Sequence, residues 1–314
     1  MPTSEISALV RINDEALASY AGVLATQELT VPDWRLPVYP EADTDDFIEF
    51  LGVMNALNFC FADPSGDGKF AATYQCVIWG GAMGLCASLM RAREEGIDVL
   101  DPTVLSGIDT ASARHIFRTE ETPLPLLDLR VALLNSLAAS LAPYGSFAGM
   151  FKQLGYDAEK ITTALATEFP AYAGDRWLHP VTKQSIVFDK RARLMPLIYE
   201  GRARHSGGAL MCLENVASIG PIIDYQLPRA LRAVGVLEYE ASVAKAVDDG
   251  QLIPPGSEAE LAIRGVTYDA VATLLEMLRA SLGTHVSMVE LDYLLWVIGR
   301  KADGRHHLTL TSAY

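Results

Sequence analysis

Apolar residues recur along this chain every third or fourth position, and strict alternation is scarce, which is the pattern of helices packed by one face. In Asp45 to Leu57, for example, Phe47, Phe50, Leu51, Met54 and Leu57 fall at helical spacing, with Asn55 and Asn58 near the end. The same periodicity predicts helices over Ile6 to Leu24, Trp79 to Glu95, Leu126 to Leu141, Ala158 to Glu168, Lys190 to Tyr199 and Gly208 to Ala217. It continues over Pro228 to Val234, Glu240 to Asp248, Tyr268 to Leu282 and Met288 to Gly299. Ile186 to Phe188 and Leu261 to Ile263 are the two modest strand candidates. The proline-rich Val31 to Pro40 reads as an extended connector, and Asp63-Pro-Ser-Gly-Asp-Gly as a turn. With no repeat, low-complexity tract or linker, residues 1–314 read as one mainly α-helical domain, with room for two lobes and at most a few short strands.

One segment breaks the pattern informatively. Gly220 to Leu237 sets Asp224 inside an otherwise apolar stretch, just ahead of a helix that Pro228 and the Leu227, Leu231, Val234 spacing announce. A carboxylate in apolar surroundings is costly without a partner, and its pKa rises, which is how a protein prepares an acid or base. The same position also suits an ordinary helix-capping Asp.

Composition narrows the chemistry. The 50% hydrophobic content is ample for a large core, while a net charge of −14 argues against general polynucleotide binding, which needs many Lys and Arg against phosphates. A small anionic substrate would need a local cationic pocket, for which Arg114-His115, Lys190-Arg191-Ala-Arg193 and Arg305-His306-His307 are candidates, although clustered bases are also ordinary solvated faces. Cys60, Cys76, Cys86 and Cys212 form no CxxC pair and read as reduced core thiols. The first residues lack a secretory pattern and no apolar run reaches membrane-spanning length, so a cytoplasmic protein without membrane attachment is expected. GxSxG, GxxxxGK[ST], HExxH and GxGxxG are all missing, and the Asp63 to Lys69 stretch lacks the ligand spacing of a calcium loop. No metal and no cofactor are expected.

The stretch IDYQLPRALRAVGVLEY, Ile223 to Tyr239, resembles the ADYRxPQxLxxLGxLxY signature of the queuosine salvage proteins, the queuosine 5′-phosphate N-glycosylase family. Further blocks match in the same order: NALNFCF (Asn55 to Phe61), LCASLMRAREEGI (Leu85 to Ile97), RHIFRTEE (Arg114 to Glu121), PLLDLRVALLN (Pro125 to Asn135) and GSF (Gly145 to Phe147). FDKRARL (Phe188 to Leu194), AIRG (Ala262 to Gly265) and LDYLLW (Leu291 to Trp296) follow, so the resemblance runs from about Trp34 to the C-terminus.

That resemblance implies a helical scaffold similar to the helical DNA glycosylases, and hydrolysis of the N-glycosidic bond of queuosine 5′-phosphate to queuine and ribose 5-phosphate. Alternatives are a hydrolase of another modified nucleoside or nucleotide, or a helical protein that only binds a modified base. Breaking the bond builds positive charge on ribose and negative charge on the base, so a fixed carboxylate, Asp224, can stabilise the sugar and orient or deprotonate water. Queuine is a 7-deazaguanine, which lacks the imidazole nitrogen that purine glycosylases protonate, and Asn55 or Asn58 could assist the base elsewhere. Phe59, Trp79 or Tyr225 could stack on it, though rings such as Phe59, Phe61 and Trp296 also serve simply as core. Lys190 matches the Lys of the family's FYKRAQ motif, which implies a contact to the substrate phosphate, with Arg191 beside it. Asp292 in LDYLLW either touches substrate or begins a helix turn.

Several positions depart from the family pattern. GYWSL is Gly81-Ala-Met-Gly-Leu85 here, the Tyr of FYKRAQ is Asp189, and an Asp that follows corresponds to Ile198. The terminal HRTRxIYY is His307-Leu308-Thr-Leu310-Thr-Ser-Ala-Tyr314, without either Arg.

Overall fold

Side-chain caps fix where most helices begin. Asn13, Asp101, Asp109, Ser146, Asp157, Glu240 and Ser257 each accept a backbone N–H from the first turn that follows them. Ser287 and Glu290 form a reciprocal capping box. The computed structural model describes residues 8–64, 68–178, 183, 185–283 and 286–314. In chain order the elements are β1 (Val10–Ile12), α1 (Asp14–Leu24), α2 (Asp45–Ala56), β2 (Ala71–Tyr74), β3 (Val77–Gly80), α3 (Ala82–Glu94), α4 (Pro102–Ser106), α5 (Thr110–Ile116), α6 (Leu127–Leu141) and α7 (Phe147–Gln153). There follow α8 (Ala158–Glu168), β4 (Arg176–Leu178), β5 (Ser185–Val187), α9 (Lys190–Arg204), a 3-10 turn (Val216–Ser218), α10 (Gln226–Ala233), β6 (Leu237–Tyr239), α11 (Ala241–Asp248), α12 (Glu258–Leu282) and α13 (Met288–Lys301). The architecture is mainly α. Its strands form three antiparallel two-stranded ribbons, β1 with β6, β2 with β3 and β4 with β5.

α9 is the central element, buried on nearly every side and packed against α2, α8 and α13. Its apolar residues join one contiguous core that reaches from Val10 to Leu295. α10 lies across α13, where Gly299 permits the approach: a Cβ there would stand 2.3 Å from the carbonyl oxygen of Gln226.

The structure corrects several expectations. Leu261 to Ile263 is not a strand but the second turn of α12; Glu260 to Thr267 are all buried, so this part of the helix has no solvated face and its period is hidden. Gly208 to Ala217 is not an α-helix, because Gly207, Gly208 and Asn215 take positive φ of 64°, 92° and 52°, leaving only the 3-10 turn. Trp79 belongs to β3, and α3 begins only at Ala82, because Gln75 and Cys76 with φ of 49° and 62° turn β2 into β3. The first helix starts at Asp14 after a short strand; the Ile6 and Ser7 end of that expectation lies outside the described residues. So does the middle of the Asp63 to Lys69 turn. Cys60 and Cys86 are buried free thiols, but Cys76 and Cys212 are exposed, not core.

Candidate active site

A cavity of about 190 Å³ opens between the start of α3, the middle of α9, the 222–229 segment and α13. Asp224 lines it. One oxygen of Asp224, Oδ1, accepts the backbone N–H of Gln226 at 2.7 Å and of Leu227 at 3.3 Å, so the residue does tie down the start of α10. Its other oxygen has no protein hydrogen-bond partner among the described residues. A single Asp thus serves as local cap and cavity carboxylate together, because a cap needs one oxygen only.

Two charged groups flank it. Lys190, the first residue of α9, is 4% exposed and donates through Nζ to the carbonyl of Asn58 at 3.1 Å. Asp292, in the second turn of α13, is 5% exposed, and its Oδ1 is buried with no hydrogen-bond partner among the described residues. Burial pushes the Asp292 carboxyl well above the usual range, the neighbouring Asp224 charge pushes it further, and Lys190 opposes. Burial also raises Asp224, against the pull of Lys190 and of the two backbone N–H groups. Lys190 falls to about 8 because burial outweighs the nearby carboxylates. Of the two carboxyls, Asp292 is thus the one that holds a proton more readily, and Asp224 the one that the Lys190 ammonium and the backbone N–H groups favour as a carboxylate.

A buried network braces this triad. Asp175 receives two hydrogen bonds from Arg264, at 2.7 and 2.8 Å, and the backbone N–H of Lys190 at 3.0 Å. Arg264 also donates to the carbonyl of Ile223 at 3.1 Å, and its guanidinium lies between the rings of Phe188 and Tyr314 at 3.9 and 4.0 Å. The start of α9 and the residue before Asp224 are therefore fastened to one ion pair. The AIRG block contains this Arg264, yet nothing local in the sequence connects it to Asp175.

The other expected site residues separate into two groups. Asn58 and Tyr225 line the cavity, Asn58 with its side chain turned to Asn55 and Met54 and Tyr225 tilted by 31° against the His306 ring, with centroids 4.4 Å apart. Asn55, Phe59, Trp79 and Arg191 do not line it. Asn55 is fully buried and donates to the carbonyl of Leu51. Phe59 fills a slot between the guanidinium groups of Arg130 and Arg191, at 4.0 and 5.0 Å. Arg191 donates to the carbonyls of Ala56, Ala171 and Ala173. These residues hold the 55–60 loop, and through it the Asn58 carbonyl that receives Lys190. Trp79 is half-buried, and its indole N–H has no hydrogen-bond partner among the described residues.

The aromatic lining that does face the cavity includes Trp34, Tyr293 and Trp296. Trp34 meets Tyr293 edge-on at 5.5 Å, and Tyr293 stacks with Trp296 at 6.2 Å. Trp296 therefore does more than fill core. Lys69, Arg229 and Arg300 also line the cavity, and none was marked by local sequence pattern; Arg300 stands 4.8 Å over the Trp296 ring. Asp189, which departs from the family motif, pairs with Arg176 at 2.7 Å.

Among the described residues no cluster of three or more His, Cys, Asp or Glu is arranged to hold a metal ion, and no helix is long and apolar enough to cross a membrane.

The family model described as queuosine salvage protein matches residues 38–314. A protein of Sphaerobacter thermophilus named queuosine 5′-phosphate N-glycosylase/hydrolase is 27% identical, over 97% of this chain and 93% of that relative. Relatives of the same name from Mus musculus and Bos taurus are 28% and 26% identical, covering 91% and 95% of this chain and 89% and 90% of their own lengths.

Proposed function

We infer that this chain, which belongs to the queuosine salvage protein family, is an N-glycosyl hydrolase that cleaves queuosine 5′-phosphate to queuine and ribose 5-phosphate. The observation that carries the mechanism is the meeting of Asp224, Lys190 and Asp292 on one cavity that is otherwise lined largely by aromatic and apolar side chains. As the C1′–N bond lengthens, positive charge grows on the ribose and negative charge on the departing base. Ionised Asp224 stabilises the first. It also takes a proton from the water whose oxygen bonds to C1′. Protonated Asp292 offers a hydrogen bond or its proton to the base, a route that does not need the imidazole nitrogen missing from a 7-deazaguanine. Water thus supplies hydroxyl to the sugar and, through the two carboxyls, a proton to the base.

Lys190 keeps Asp224 ionised despite its burial, and Asn58 holds Lys190 through its carbonyl. Trp34, Tyr225, Tyr293 and Trp296 supply flat apolar surface for the base and exclude water, which strengthens every charge effect inside. Reaction with a panel of nucleosides and nucleotides, read by mass spectrometry, tests the assignment. Queuine and ribose 5-phosphate from queuosine 5′-phosphate are expected; binding without cleavage would leave only a base-binding protein.

A further inference from the structure

Three cations besides Lys190 converge on the cavity, a strongly acidic chain notwithstanding. Lys69 precedes β2, Arg229 sits on α10 and Arg300 near the end of α13, yet all three line the same wall. The fold goes to some length to place them. Gly299 lets α13 close on α10, which sets Arg300 beside Arg229. Arg229 then donates to the carbonyl of Ala302 at 2.5 Å, fixing its guanidinium, while its Nε stays buried without a hydrogen-bond partner among the described residues. The stem of Lys69 runs over Gly80, where a Cβ would stand 2.9 Å from the lysine Cε. In a chain with 39 acidic residues against 25 basic ones, none of the three forms an ion pair with a carboxylate among the described residues.

We propose that Lys69, Arg229 and Arg300 are the seat of the substrate's 5′-phosphate, a role that rests on the reaction inferred above. Like charges gathered without counter-ions repel, and a bound dianion removes that cost. Burial lowers the pKa of Lys69, and the charges of Arg300 and Arg229 lower it further. The start of α3 adjoins Lys69 through Gly80 and has no side-chain cap; the Gly81 N–H is donated to the carbonyl of Phe70, while Ala82 and Met83, in the first turn, line the same cavity. His306 lies against the Tyr225 ring beside these cations and feels both Arg229 and Lys69, which with burial hold its pKa down.

Lys190 is the residue that the family motif suggested for this task, and its surroundings argue otherwise. Its ammonium is committed to the Asn58 carbonyl and lies close to Asp224, whose charge would repel a phosphate. The two functions divide along the cavity, with carboxylates at the bond to be broken and cations at the far end of the ribose.

The test is the ratio of kcat/KM on queuosine 5′-phosphate to kcat/KM on unphosphorylated queuosine, in Lys69→Ala and Arg300→Ala. A hydrogen bond to a charged group corresponds to a fall in that ratio of about 10- to 100-fold for each variant. A ratio that stays at the parent value in both, or that moves only in Lys190→Ala, overturns the proposal. Calorimetric titration with inorganic phosphate provides a reading independent of catalysis. Binding to the parent that weakens at least about tenfold in the Lys69→Ala/Arg300→Ala double variant supports the seat, and equal binding, or none to the parent, refutes it. Failure of the parent to cleave queuosine 5′-phosphate would instead refute the reaction and leave the phosphate titration to judge the seat.

Discussion

Asp224→Asn separates the two roles that this one side chain holds. Asn retains an oxygen to accept the N–H groups of Gln226 and Leu227, so the start of α10 should survive. The charge also carries little stability at neutral pH. Burial raises the folded-state pKa of Asp224 above its unfolded value, so its contribution is fully present in acid and is lost as pH rises through the raised value. Exchanging it for a neutral amide should therefore change the unfolding free energy by no more than about 1 kcal/mol. The rate should respond very differently. Loss of the carboxylate removes the stabiliser of the ribose cation and the acceptor of the water proton, and it lets the Lys190 pKa fall below its present value of about 8. Together these amount to at least about 4 kcal/mol of barrier, or roughly 10³-fold in kcat. Single-turnover release of queuine, followed by mass spectrometry, measures the rate, and thermal unfolding of the same preparation measures the fold. A near-parent rate would refute the catalytic role, and a rate loss matched by loss of the folded state would show that the cap was the essential function.

Arg264→Met should cost about 3–5 kcal/mol in urea unfolding at neutral pH, because Asp175 and Glu260 are left buried without their cation. Glu260 already has a raised folded-state pKa, so the deficit should shrink as the solution becomes acidic; a neutral-pH loss below about 1 kcal/mol would count against the brace. The pH profile of kcat should show an acid limb above the ordinary carboxylate range, from Asp224, and an alkaline limb from Lys190 near about 8; a rate flat into strong acid with the fold intact would remove the ionised carboxylate. Dialysis against a strong chelator should leave activity unchanged, and activity restored only by a divalent ion would contradict this. Gly299→Ala should destabilise the fold by about 1–3 kcal/mol through the clash with the Gln226 carbonyl, measured by thermal unfolding; a neutral effect would mean that α10 and α13 separate freely.

Much of the site's local logic was present in the amino-acid order. An isolated Asp before a Pro-marked helix start fits both a cap and a chemical group, and Asp224 is placed to be both. Helical periodicity was legible in longer helices with a solvated face, as in α8, was lost where burial is complete, as at Leu261 to Ile263 in α12, and was not read in α4, α5 and α7, whose 5 to 7 residues are too short to repeat a period. Motif order along the chain was enough to identify the family.

Which aromatic and which cation faces the cavity was a tertiary decision. Trp79 and Trp296 are equivalent as residue types, but the turn at Gln75 and Cys76 places Trp79 in a ribbon of which Gly80, not Trp79, lines the cavity, while Trp296 follows Asp292 by one turn of α13 and shares its face. Lys190 and Arg191 are neighbours in sequence, yet successive helical residues point about 100° apart. One therefore reaches the cavity and the other the carbonyls of Ala56 and Ala171. Lys69, Arg229 and Arg300 carry no shared pattern, since their meeting depends on a glycine-sized gap between α10 and α13 and another beneath the Lys69 stem. Local order determines what a residue can do to its own backbone; charges distant along the chain become one site only when packing brings them within the range where Coulomb forces outweigh screening by water.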